Sequence, residues 1–103
     1  MFMETDTRNF KRIAKEELNL LEFPSDDILN NREELEKRRQ MLHRATSLGN
    51  LQKHKVLIRF ADKSGPKEVY TTIWAVTDNK VLLKAGQLIP VHRIHSVEVT
   101  YSS

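Results

Sequence analysis

The hydrophobic positions of the chain follow two rhythms that change near Gly49: helical spacing before it, then β-branched residues, alternation and turn signals. Phe10, Ile13, Ala14, Glu17, Leu18 and Leu21 share one helical face, and all but Glu17 are apolar, which predicts a first helix over about 6–22. Thr5 or Asp6 would cap it. Pro24 disfavours helical geometry at Phe23 and would end it. A second helix is predicted over about 26–48, with Ser25 as N-cap and Asp26 and Asp27 at the positive end of its dipole. A short turn and a restart at Asn30 or Asn31 is the alternative. Ile28, Leu35, Leu42 and Ala45 form a narrow apolar seam along it, and Gly49 supplies the left-handed stop.

From Lys53 the period becomes two. Val56, Ile58 and Phe60 alternate with Lys55, Leu57 and Arg59, the mark of a half-buried strand. A Ser64-Gly65-Pro66 turn leads into a long strand from Lys67 to Thr77. Asp78-Asn79-Lys80 makes the next turn, Val81 to Lys84 a short strand, and Ala85-Gly86 a second turn. Leu88 to Val91 is a fourth strand, and a fifth lies within Ile94 to Tyr101. Ile73 and Val76 are three apart, so both reach one core only if the strand bends or bulges between them. Val91, Ile94 and Val97 are also three apart, which predicts a single helical turn at His92-Arg93-Ile94. The expected core is Val56, Ile58, Phe60, Val69, Ile73, Val76, Val81, Leu83, Ile89, Val91, Ile94 and Val97.

These elements imply an α+β chain in two parts: a helical N-terminal extension over 1–50 and a small five-stranded antiparallel barrel over 51–103. Closure would protect the sheet edges, and side chains would fill so small an interior. A barrel of ~50 residues is near the lower limit for folding alone, so the first helix or a second copy is expected to cover one face.

The run from Thr71 to Gly86, followed by Ile89-Pro90-Val91-His92-Arg93-Ile94-His95-Ser96-Val97, resembles the small bacterial barrels of SH3-like and Sm-like type, including Hfq-, Rof- and YolD-like proteins. The whole chain is similar to small uncharacterised proteins of Bacteroidetes, in which a charged helix and the run Leu48-Gly49-Asn50-Leu51 precede such a barrel. The resemblance implies the barrel fold and a binding role. It does not extend to the Tyr-Lys-His close of Hfq, so neither ring assembly nor a uridine pocket is implied.

Composition changes the picture in one respect. The 103 residues carry a net charge of +3, and all of it lies in the second half. Residues 54–103 hold Lys55, Arg59, Lys63, Lys67, Lys80, Lys84 and Arg93 against Asp62, Glu68, Asp78 and Glu98. Such a domain attracts phosphates or an acidic protein face. No run approaches the ~20 apolar residues of a membrane-spanning helix. The absence of cysteine excludes a disulfide framework and a thiol nucleophile, and fits a cytoplasmic location.

No Ser-His-Asp spacing, phosphate loop or dinucleotide fingerprint is present, so no catalytic residue, enzyme activity or cofactor is expected. His92, His95 and His54 lack the spacing of a metal site, and no metal is expected. Two binding surfaces remain. Lys55, Arg59, Tyr70, Trp74, Lys80, Lys84, His92 and Arg93 are the nucleic-acid candidates, because aromatics stack bases while cations hold phosphates. Ile28, Leu35, Leu42, Leu57 and Trp74 are the protein-interaction candidates, for a protein partner or self-association. The helices carry both signs of charge evenly, which suits a protein partner better than a phosphate backbone. The expectation is a non-catalytic binding module, protein-directed first and RNA-directed second.

Overall fold

The computed structural model describes residues 9–47 and 55–99. The expected caps at Thr5 or Asp6, the stop at Gly49, and His54 lie outside them. In chain order the elements are β1 (Lys11–Ile13), a 3₁₀ helix (Lys15–Leu20), α1 (Arg32–Ser47), β2 (Val56–Asp62), β3 (Gly65–Thr71), β4 (Ile73–Val76), β5 (Lys80–Leu83), β6 (Leu88–Pro90), a 3₁₀ turn (Val91–Arg93) and β7 (Ile94–Val99).

The strands form two sheets, one of four in the order β1-β3-β2-β7 and one of three in the order β4-β5-β6. β1 runs parallel to β3, and the other pairings are antiparallel. This corrects the expected fold of N-terminal helices followed by a five-stranded antiparallel barrel: the described residues hold one α-helix and two sheets of mixed orientation.

The first expected helix, 6–22, is replaced by β1 and the 3₁₀ helix. Ile13 pairs with Val69, and Arg12 with Glu68, where Arg12 Nε donates to the Glu68 carboxylate at 3.0 Å. Glu17 then fixes the turn, since its Oε2 accepts from the Ala14 N–H at 3.0 Å. The apolar spacing served a strand and a tight turn instead of one helical face. Ile13 and Leu18 are buried, whereas Leu20 is 82 % exposed.

The second helix begins at Arg32, not at 26. Asn31 is its cap, with Oδ1 accepting from Glu33 and Glu34 N–H at 2.8 and 3.2 Å. Ser25 does not serve as the cap, because the segment after it is committed elsewhere. Ile28 N–H donates to the His92 carbonyl at 3.0 Å, and Asp27 Oδ1 accepts from Leu29 N–H at 2.8 Å. A backbone spent on those bonds cannot wind into a helix.

β2 and β3 form a hairpin whose turn ends at Gly65, at φ +135°, where a side chain would be strained. Beneath it Lys67 is buried against Asp62, with Nζ 2.6 Å from Oδ1 and 2.6 Å from Ser64 Oγ. The chain breaks between β3 and β4 at Thr72, and β4 pairs with β5 through a register shift between Ile73 and Ala75. That is the bulge which the Ile73–Val76 spacing demands. The turn expected near His92 is the 3₁₀ segment Val91–Arg93.

The core lies between the two sheets and α1. Phe60, Ile58, Ile73, Leu83, Ile89, Ile94, Val69 and Val81 are its largest fully buried side chains. Of the other residues expected there, Val56 and Val97 are buried and Val76 and Val91 pack against it partly buried. The first half supplies Ile13, Leu18, Leu42 and Ala45 to the same cluster. No helix among the described residues is long and apolar enough to cross a membrane.

Candidate docking surface

The surface begins at the bulge. Ile73 is buried and Val76 packs on the core, so the two residues between them are turned away from it. Trp74 is 46 % exposed as a result. Opposite it runs α1, whose buried face is Arg38, Leu42 and Ala45. Leu35, one turn before Arg38 and Arg39, sits at the margin of that face, 37 % exposed.

Between α1 and β4 lies an open groove of about 730 Å³. Leu35, Leu42, Trp74, Val76 and Val91 supply its apolar lining, and Arg39, His43 and Asp78 its polar lining. Trp74, Ala75, Val76, Thr77 and Asp78 line it consecutively. β4 ends at Val76, so the lining runs on from the strand into the turn at Thr77 and Asp78. Among the described residues β4 pairs only with β5.

Arg38 holds the helix at this distance. Its Nη1 and Nη2 donate to Asp27 Oδ1 and Oδ2 at 3.0 and 2.8 Å, and Nη1 also to the Ile94 carbonyl at 3.1 Å. Burial alone would raise the Asp27 carboxyl. The hydrogen bonds from Arg38 and Leu29 N–H, with the charges of Arg38 and His92, outweigh it and hold Asp27 below its ordinary 3.8.

The groove brings together Leu35, Leu42 and Trp74 from the protein-interaction candidates. Ile28 is half-buried in the segment before α1. Leu57 is on the outer face of the four-stranded sheet, paired with Tyr70 and Glu98. The nucleic-acid candidates divide among several places. Lys55, Arg59 and Tyr70 share that same outer face. Lys55 Nζ lies 5.4 Å from the Tyr70 ring centroid, and Arg59 Nε donates to Glu68 at 3.1 Å. Burial would raise Glu68, yet Arg59 and Arg12 hold it below its ordinary 4.5.

Lys80 is exposed at the start of β5, Lys84 in the turn just after its end, and Trp74 on β4. His92 is tied inward, its Nε2 donating to the Pro24 carbonyl at 2.9 Å. Arg93 is buried. Its Nε donates to the Ala61 carbonyl at 3.0 Å and its Nη1 to the Asp26 carbonyl at 3.0 Å, so it braces the segment before α1.

Sequence reasoning missed Arg38, Arg39, His43, Val76, Asp78 and Val91 as groove residues. A signal for the helical ones existed: Arg38, Arg39 and His43 fall on or beside the Leu35–Leu42 seam at helical spacing. Among the described residues no three His, Cys, Asp or Glu side chains converge as a metal site. No protein-family model, curated protein or solved structure matches the chain.

Proposed function

We propose that the protein is a non-catalytic module that docks another protein in the groove between α1 and β4, in a cytoplasmic setting. One observation carries the reading: Trp74 and Leu35 stand exposed on opposite walls of a groove whose apolar lining continues inward through Leu42, Val76 and Val91. Tryptophan in a partly dry recess is a common anchor of protein interfaces, because its ring removes a large apolar area from water and its N–H still finds a partner. The polar lining has Arg39 and His43 on the helix and Asp78 on the strand side, which gives a partner orienting charges.

An RNA-binding alternative draws support from Lys55 over Tyr70 on the other sheet. It is the weaker reading, since Arg59 there is matched by Glu68 and Arg93 is buried in the fold.

The test is capture from native lysate, with and without nuclease, using wild type and a Leu35→Ser/Trp74→Ser variant. The expected result is a stoichiometric protein that survives nuclease and is lost with the variant. Capture that nuclease abolishes, or that the variant retains, overturns the reading. A second copy of the chain as the captured protein would make the surface a self-association site.

A further inference from the structure

The second half of the chain carries seven cations against four carboxylates, and the fold distributes those carboxylates unevenly. Asp62 holds Lys67, and Glu68 holds Arg59. Lys63 and Arg93 reach across to Glu22 and Asp26 of the first half. Lys80 and Lys84 are exposed, and among the described residues neither is engaged by a carboxylate. Asp78 is also exposed, in the turn just before Lys80, so this end of the three-stranded sheet keeps an excess of one positive charge.

The two lysines bracket an apolar row. Val81 and Leu83 are buried, so alternation along β5 turns Lys80 and Leu82 to the outer face of the three-stranded sheet, and Lys84 follows as the exposed first residue of the turn. Leu82 pairs with Leu88 of β6 on one side and Ala75 of β4 on the other. The bulge adds Trp74 beside Ala75. Trp74, Ala75, Leu82 and Leu88 thus cross three strands as a continuous row, and Leu88 is as exposed as Trp74. Lys80 opens the central strand and Lys84 directly follows its last residue. At Trp74 the row meets the groove.

We infer that this face receives an acidic, extended segment of the docked partner, with an apolar side chain flanked by carboxylates two residues to either side. This rests on the protein-docking reading of the groove. Such a segment repeats the Lys-x-Leu-x-Lys pattern of Lys80, Leu82 and Lys84 with opposite charge, so its apolar residue covers Leu82 while each carboxylate meets an ammonium. A nucleic-acid strand fits less well. Its phosphates would meet the lysines and one base could stack on Trp74 at the end of the row, but Leu82, between the two lysines, and Leu88 offer no ring for the bases that follow.

Trp74 is the sole tryptophan, so its fluorescence reports on the row directly. The probes are a synthetic peptide with two Glu-Ser-Leu-Ser-Glu repeats, its Gln-for-Glu counterpart and a single-stranded RNA oligonucleotide. The expected result is a saturable Trp74 response to the acidic peptide at low salt, weakened about tenfold or more by Lys80→Glu/Lys84→Glu. Both lysines are exposed, and a folded-state circular dichroism spectrum of that variant is the control. No response to the acidic peptide, an equal response to the glutamine peptide, or indifference to the lysine reversal overturns the inference. So does an RNA response that the reversal abolishes, which assigns the face to phosphate.

The same reversed variant, carried through lysate capture, separates this inference from the reading beneath it. Partner capture that persists unchanged leaves the groove as a docking site and removes the acidic segment. Failure of wild type to capture any protein removes the docking reading itself.

Discussion

The Arg38 guanidinium closes on the Asp27 carboxylate with both of its terminal nitrogens, at 3.0 and 2.8 Å, and reaches the Ile94 carbonyl with one of them. One side chain thereby joins α1, the segment that leads into it, and the first residue of β7. Arg38 is buried while Asp27 keeps about a third of its side chain in water. Asp27→Ala strands the guanidinium with only one backbone acceptor, and Arg38→Lys cannot reproduce the planar fork. Each substitution is expected to lower the unfolding free energy by about 2 kcal/mol, toward the range for breaking a buried pair. Urea denaturation reads this directly. A loss below about 0.5 kcal/mol would place the pair with ordinary surface ion pairs.

Acid should weaken the fold through three carboxyls. Burial alone would raise Asp62. Its bonds from Lys67 and Ser64 and the Lys67 charge outweigh that and hold it below 3.8, as Arg38 does for Asp27 and as Arg59 and Arg12 do for Glu68 below 4.5. A carboxyl depressed in the folded state binds its proton more weakly there than in the unfolded chain. Its stabilisation is complete above the unfolded value and fades as pH falls through the folded one. The urea midpoint is therefore expected to hold from neutrality to about pH 5 and to fall below that. Asp62→Asn should lower the midpoint at neutral pH and flatten its acid limb, so the two curves converge at low pH. Parallel curves would show that Asp62 does not contribute to the acid response.

Much of the second half was legible because its information is local. A three-residue gap between Ile73 and Val76 admits few solutions, and a bulge is one. The gap from Val91 to Ile94 likewise has a one-turn answer. The first half misled because its decisive contacts are distant. Ile13 is a strand residue only because Val69 lies beside it, and helical spacing from Phe10 to Leu21 cannot reveal that partner. Arg93 read as a surface cation because its shortest bonds, at 3.0 Å, are to the carbonyls of Ala61 and Asp26, groups that every residue carries and no pattern marks, and its longer bond, 3.3 Å, is to the distant Asp26 carboxylate. The groove was half legible. Leu35, Leu42 and Trp74 could be named singly, but their meeting depends on where Arg38 anchors α1.

The first half is part of the same core, which makes a fragment prediction. Ile13, Leu18, Leu29 and Leu42 are buried, and burying each contributes about 2 kcal/mol. Their sum, about 8 kcal/mol, is comparable with the whole stability of an ordinary domain. The fragment 51–103 is expected to lack a cooperative thermal transition, and adding the fragment 1–50 in trans should restore one. A fragment that melts as sharply and at the same temperature as the full chain would mean that the N-terminal residues only decorate the sheets.

The groove offers a separation of binding from folding that the apolar seam alone would have obscured. Leu35 and Leu42 lie on one helical seam, yet Leu42 is buried in the core and Leu35 is not. Leu42→Ala should cost about 3 kcal/mol, as large-to-small changes in a packed core do. Leu35→Ser and Trp74→Ser remove apolar surface that already faces water, so each should change stability by less than about 1 kcal/mol. Partner capture should respond in the opposite order, lost in the two exposed variants but only weakened in whatever Leu42→Ala protein stays folded at low temperature, since Leu42 forms the buried floor of the groove. Thermal denaturation and lysate capture on the same four proteins decide this. If capture tracks stability across the set, the loss reports unfolding and the groove is not the contact. If capture fails in the stable variants alone, Leu35 and Trp74 touch the partner.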